Sequence, residues 1–270
     1  VRPVPAFIGE QQQFFVMKTL PASSNGGDIG VVILNAGLLH NVGPFRLHVD
    51  IAAAVAELGV PVTRIDQSGK GESASRPVST SLESKLADFD DVTAWIEEDG
   101  SRRVILVGLC SGADDALLIA RHRSNIAGIV MIDGFAPPTA KSRRMKRSQR
   151  YGSIRRAVGS MLRPIRDYLA KRRLGPDDID IDIRAWTDDA DMTAGIAKAI
   201  DSGTRFLAIF TPGQDYYLYD GQLRDGLSGL NHPDRLDEVY FDDTDHTFSR
   251  SAHRDRVVTC IRDWVRRVAG

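Results

Sequence analysis

Val104-Ile105-Leu106-Val107-Gly108-Leu109-Cys110-Ser111-Gly112-Ala113 runs a β-branched apolar stretch into a turn edged by two glycines, and an alanine-rich pattern at helical spacing follows. The order predicts strand, sharp turn, helix. A side chain at the tip of such a turn stands at the carboxyl edge of a sheet, with a helix N-terminus beneath it. Gly108 and Gly112 keep the neighbouring backbone clear, where any Cβ would clash. The tip residue is Cys110. A helix N-terminus favours the ionised thiol, the setting of a reactive cysteine. The alternative is a small buried hydrophobe, the common state of a free Cys.

Working outward, short apolar runs alternate with helically spaced ones. Strands are expected at Gly30–Leu34, Pro61–Ile65, Ala127–Ile132, Arg205–Phe210 and Glu238–Phe241. Helices are expected over Phe45–Leu58, Leu82–Glu98, Ala113–Arg121 and Asp255–Val268, with Gly59 closing the first. Continuous apolar strands between helices point to an α/β fold whose mostly parallel sheet is covered on both faces. Residues 11–20 read as an early strand in an antiparallel edge hairpin, and Ser23–Asp28 as a turn. Asp114 and Asp115, early in the helix after Cys110, fit the helix dipole and read as capping and surface charge.

The spacing G-x-C-x-G is that of the nucleophile elbow G-x-S-x-G with Cys at its centre. The chain resembles the α/β-hydrolases in a cysteine-nucleophile variant, as in the dienelactone hydrolases. Asp66-Gln67-Ser68-Gly69-Lys70-Gly71-Glu72-Ser73 resembles the family's D-x-x-G-x-G-x-S turn. It does not fit a phosphate loop, because Lys70-Gly71-Glu72 breaks that pattern. Asn35-Ala36-Gly37-Leu38-Leu39-His40, Gly108–Asp114 and Asp245-His246-Thr247-Phe248 are similar to segments of hydrolases associated with exosortase systems in bacterial exopolysaccharide clusters.

The resemblance implies a site residue by residue. Cys110 is the nucleophile. His246, after the last strand, is the base. Asp215, in the turn after Arg205–Phe210, is the triad acid, with Asp220 as the fallback. The order Cys110, Asp215, His246 is the family's nucleophile-acid-base order. The oxyanion-hole donors are the N–H groups of Leu38 and Ser111. Asn35-Ala36-Gly37 departs from the family's usual His-Gly, and Gly37 takes the place of the family glycine. Gly37 and His40 are candidates for substrate contact; a loop histidine is otherwise solvated. Asp245 is expected to cap its own loop, and Cys260 to pack.

The alternation stops after Pro137. The resemblance places a small helical lid at 138–200, with Met161-Leu162 and Tyr168-Leu169 on its buried stripe, and the hydrolase core at 1–137 and 201–270. Lys and Arg dominate 141–173, where Asp167 is the sole acid, and acids take over at 177–182. Such a run is either a solvated lid face or a surface for an anionic partner: a carboxylated saccharide, a phosphopantetheine carrier or anionic lipid.

The formal net charge of −1 gives no overall pull toward nucleic acid. No apolar run approaches the roughly 20 residues of a membrane span. The first residues show no signal-peptide core. Two cysteines are too few for a disulfide framework or a zinc site, which suits a cytoplasmic setting. The expected chemistry is attack of the Cys110 thiolate on an ester, thioester or lactone carbonyl of a small acyl substrate, with no cofactor and no metal. The alternatives are an acyltransferase or thioesterase of a polysaccharide or secondary-metabolite pathway, and a non-catalytic binding protein on a hydrolase scaffold.

Overall fold

Five of the eight strands are buried along nearly their whole length because helices cover both faces of the sheet they form. The computed structural model describes residues 1–78, 80–151 and 188–270. Eight strands are ordered β1-β2-β4-β3-β5-β6-β7-β8. β1 (Arg2–Ile8) and β2 (Phe14–Leu20) make an antiparallel hairpin, and β2 pairs antiparallel with β4 (Val62–Ile65). From there on β3 (Ile29–Ile33), β5 (Arg103–Leu109), β6 (Ile126–Ile132), β7 (Arg205–Phe210) and β8 (Leu236–Tyr240) run parallel.

The period of two divides each strand between two cores. Val104 and Leu106 face one, with Phe89, Leu117, Ile196 and Phe206. Ile105 and Val107 face the other, with Leu47, Ile51, Ile261 and Trp264. The first core is closed by α2 (Ser81–Glu97), α3 (Ser111–Ala120) and α5 (Asp189–Asp201); the second by α1 (Leu47–Ala56) and α7 (Ser251–Ala269). The remaining α-helices among the described residues are α4 (Ala140–Tyr151), after β6, and the short α6 (Gln222–Gly226).

Two expectations need correction. The helix read from Phe45 starts only at Leu47. Phe45 and Arg46 take left-handed backbone, φ 47° and 68°, behind a 3-10 turn begun by Pro44. Asp114 and Asp115 are buried, not surface charge. Asp114 accepts the Phe135 N–H at 3.0 Å, and Asp115 binds Gln67 Nε2 and Lys85 Nζ, each at 3.0 Å. Each carboxylate ties α3 to a loop at the carboxyl edge. Much of the lid expected at 138–200, with Met161-Leu162 and Tyr168-Leu169, lies outside the described residues.

Candidate active site

Cys110 sits at φ 57°, ψ −121°, a conformation non-glycine residues rarely hold. Its surroundings over-determine it. The Cys110 N–H donates to the Ile132 carbonyl at 2.9 Å, and the Cys110 carbonyl accepts from Ala113 at 3.0 Å. A Cβ on Gly108 would lie 2.2 Å from the Gly112 carbonyl carbon; one on Gly112 would lie 2.3 Å from the Asn35 oxygen. Strand, turn and helix therefore close to backbone contact, and the thiol is held half-buried at the tip.

His246 approaches from the loop after β8. Its Nδ1 lies 2.7 Å from Asp133 Oδ2, and its ring also shares a hydrogen bond with the Cys110 thiol. With Nδ1 on Asp133, the other ring nitrogen is left for Cys110. The Asp133 hydrogen bond, then the Cys110 hydrogen bond, raises the imidazole pKa to about 9 against the opposing effect of burial. At neutral pH the ring is an imidazolium, held between a carboxylate and a thiol.

The carboxylate on His246 is therefore Asp133, and Asp215 and Asp220 are both exposed. The reason lies in the loop after β7. Thr211 turns inward and donates its N–H to Asp133 Oδ1 at 2.7 Å and its hydroxyl to Oδ2 at 2.6 Å. Pro212 and Gly213, at φ 91°, then carry the chain outward before Asp215 is reached. Asp133 itself is fully buried at the end of β6, and the Tyr216 hydroxyl donates to its carbonyl at 2.7 Å. The sequence signal was an Asp directly at the end of a buried strand, Ile132-Asp133-Gly134.

The loop after β3 faces the elbow. The Gly37 N–H donates to the Ser111 hydroxyl at 2.8 Å, so it is committed within the protein and is not presented to a substrate. The N–H groups of Leu38 and Ser111 come next along the two segments, Ser111 in the first turn of α3, where N–H groups have no intrahelical partner. Asp66 fixes this loop from behind. Its buried carboxylate accepts from Asn35 Nδ2 at 3.0 Å, from Asn41 N at 2.6 Å and from Asn41 Nδ2 at 2.9 Å. Asn35 Oδ1 accepts the Gln67 N–H at 2.6 Å. The two asparagines mark the ends of the loop, so one carboxylate sets its span. A Cβ on Gly71 would lie 2.4 Å from the Asp66 carboxyl carbon, which explains the glycine.

His40 is exposed, with Nδ1 facing the Val42 N–H at 3.4 Å, as a solvated loop histidine would be. Asp245 caps its loop as expected. Burial pushes its carboxyl pKa up, but bonds from Thr247 and Ser249 outweigh this and leave it well below the usual range. No cluster of three or more His, Cys, Asp or Glu suited to a metal is found among the described residues.

A mostly parallel doubly covered sheet, a cysteine on a strained strand-to-helix turn, and a histidine-carboxylate pair from later loops define the class of α/β-hydrolase folds. The sequence matches the alpha/beta hydrolase family over residues 31–265, and the chain belongs to that family. Its fold is similar to the esterase domain of a Rhodothermus marinus protein, with a TM-score of 0.61 at 15% identity over 100% of this chain and 99% of that one. It is also similar to an alpha-beta serine hydrolase homologue from Coxiella burnetii, with a TM-score of 0.59 at 15% identity over 98% and 99% of the two chains. A thioesterase domain from the curacin biosynthetic pathway gives a TM-score of 0.60 at 16% identity over 97% and 99%. No curated protein matches the chain significantly.

Proposed function

We infer that this chain is a cysteine-centred hydrolase of ester, thioester or lactone bonds, working through Cys110, His246 and Asp133. The contact line from Asp133 through His246 to Cys110, which sits at positive φ, carries the reading. Asp133 fixes the imidazole and supports its charge. The Cys110 thiolate attacks the carbonyl carbon and forms the S–C bond. The N–H groups of Leu38 and Ser111 hold the oxyanion. As the tetrahedral intermediate collapses, the C–O or C–S bond to the leaving group breaks, and the imidazolium gives that group its proton. Water then attacks the acyl-Cys110 carbonyl while the neutral His246 takes its proton. The acyl group leaves as the acid and the thiolate is restored. The residues need no cofactor for these steps. The kinship with exosortase-associated hydrolases is part of this proposal, as is a lid formed by 138–200 over a core of 1–137 and 201–270. The substrate is a small acyl compound, free or carrier-bound.

Intact-mass spectrometry tests the reading. A p-nitrophenyl ester or an N-acetylcysteamine thioester is added to wild type, His246→Ala and Cys110→Ala. The expected result is turnover in wild type and an acyl adduct mapped to Cys110 wherever deacylation lags. An adduct on another residue, or turnover unchanged in Cys110→Ala, overturns it. Amine or alcohol products outrunning the free acid would identify acyl transfer through the same intermediate.

A further inference from the structure

The sheet order β3-β5-β6 places Cys110, at the end of β5, between the loop after β3 and the segment after β6. These two rims differ in kind. The first carries Leu38 at 58% exposure, Leu39 at 48% and Phe45 at 57%, three large apolar side chains within eight residues. Single exposed apolar residues are ordinary, but a group at the rim of a site is not. Phe45 is also followed by the exposed Arg46, and both are held in left-handed backbone.

The other rim carries α4. Lys141, Arg143, Arg144, Lys146 and Arg147 are all exposed, and the helix has no acid. None of these five makes an ion pair among the described residues. Arg143 donates to the Pro138 carbonyl at 3.0 Å, and Lys141 lies 3.7 Å from the Tyr219 ring centroid, so the N-terminal turn of α4 is anchored while its charges stay available. Ser142 is buried and Met145 half-buried.

We propose that the carboxyl edge of the sheet docks on an anionic lipid surface, with Leu38, Leu39 and Phe45 entering the interface and the cations of α4 facing the headgroups. An acidic protein or polymer would explain the cations alone. The apolar rim across Cys110 from them favours lipid, because interfacial binding draws on both buried apolar area and attraction to anionic headgroups. The acyl substrate is then an amphiphile taken from that surface, a step that rests on the hydrolase reading, whereas the binding itself does not.

The test is co-sedimentation with vesicles of phosphatidylcholine alone and with about one-third phosphatidylglycerol. Wild type and Cys110→Ala are expected to bind the anionic vesicles equally and the neutral ones poorly. Equal binding with no acyl chemistry leaves the docking intact and overturns only the hydrolase reading. Arg144→Gln/Arg147→Gln should weaken binding by more than about tenfold, since each cation near an anionic surface contributes about fivefold. Phe45→Ser should weaken it about tenfold with unchanged circular dichroism. Phe45→Trp should bind as wild type and show blue-shifted emission on the vesicles. Absence of binding overturns the proposal. So does binding that Phe45→Ser leaves intact and poly-L-glutamate displaces, which would mark an acidic polymer site.

Discussion

Asp133 holds one histidine nitrogen and both donors of Thr211 on a single buried carboxylate. Asp133→Asn keeps the volume and removes the charge. It is expected to lower kcat/KM by about a hundredfold or more, whereas Asp215→Asn, at an exposed site, stays within about twofold. The pH profile adds a second readout. With the imidazole raised to about 9, the imidazolium persists at neutral pH and is lost as the ring deprotonates above it. The alkaline limb of kcat/KM is therefore expected near 9 in wild type and lower in Asp133→Asn, which lacks the first cause of the shift. The places of Cys110 at the turn and of His246 beside it were legible because each lies inside a short motif with its own local geometry. Which carboxylate meets His246 was not, because one after β6 and one after β7 look alike in sequence. What separates them is the inward turn of Thr211 and the outward path through Gly213, a matter of three-dimensional direction.

The elbow and the loop after β3 work as a pair of elements. The elbow depends on backbone contact, so Gly108→Ala should cost about 1–3 kcal/mol or more in urea unfolding, because its Cβ meets the Gly112 carbonyl carbon rather than a movable side chain. An unchanged midpoint would show that the turn tolerates widening. The loop depends on Asn35. Asn35→Ala leaves the buried Gln67 N–H without its acceptor, at about 1–3 kcal/mol, and takes one donor from the Asp66 carboxylate, whose same oxygen keeps the Asn41 N–H. Its expected effect on ester turnover is a fall in kcat with KM little changed, because an oxyanion-hole donor acts in the transition state. A change confined to KM would place Asn35 in substrate binding instead. The D-x-x-G-x-G-x-S turn was readable as a pattern, and Gly71 as a turn residue. Its purpose was not, because Asp66 meets Asn35 and Asn41 across 31 and 25 positions of sequence. The late start of α1 was hidden for a related reason: Pro44 sets a 3-10 turn, and apolar spacing through Phe45 is blind to the sign of φ.

For the molecule as a whole, period-two division of apolar strands between two cores made the fold class legible, since unbroken apolar runs between helical patterns fit only a sheet covered twice. The order of the strands and the side from which each late loop returns were not contained in that periodicity. Stability carries the signature of the site. His246 binds its proton more tightly folded than unfolded, so the stability it contributes is complete below about pH 6.5 and is lost as pH rises through about 9. The gap in Tm between wild type and His246→Ala should thus be wider at about pH 6 than at about pH 10. A gap independent of pH would mean that the ring acts only by packing.

The coupled thiol and imidazole are the centre of this account, and the rate of Cys110 alkylation by iodoacetamide against pH probes them most directly. Cys260, whose thiol is pushed up by burial, supplies an internal control on the far helix. Wild type should alkylate at Cys110 well below the ordinary thiol pKa of about 8.5, and His246→Ala should lose that reactivity and follow an ordinary thiol curve. Equal and ordinary curves in the two proteins would contradict the Cys110–His246 mechanism and leave the elbow as a structural turn.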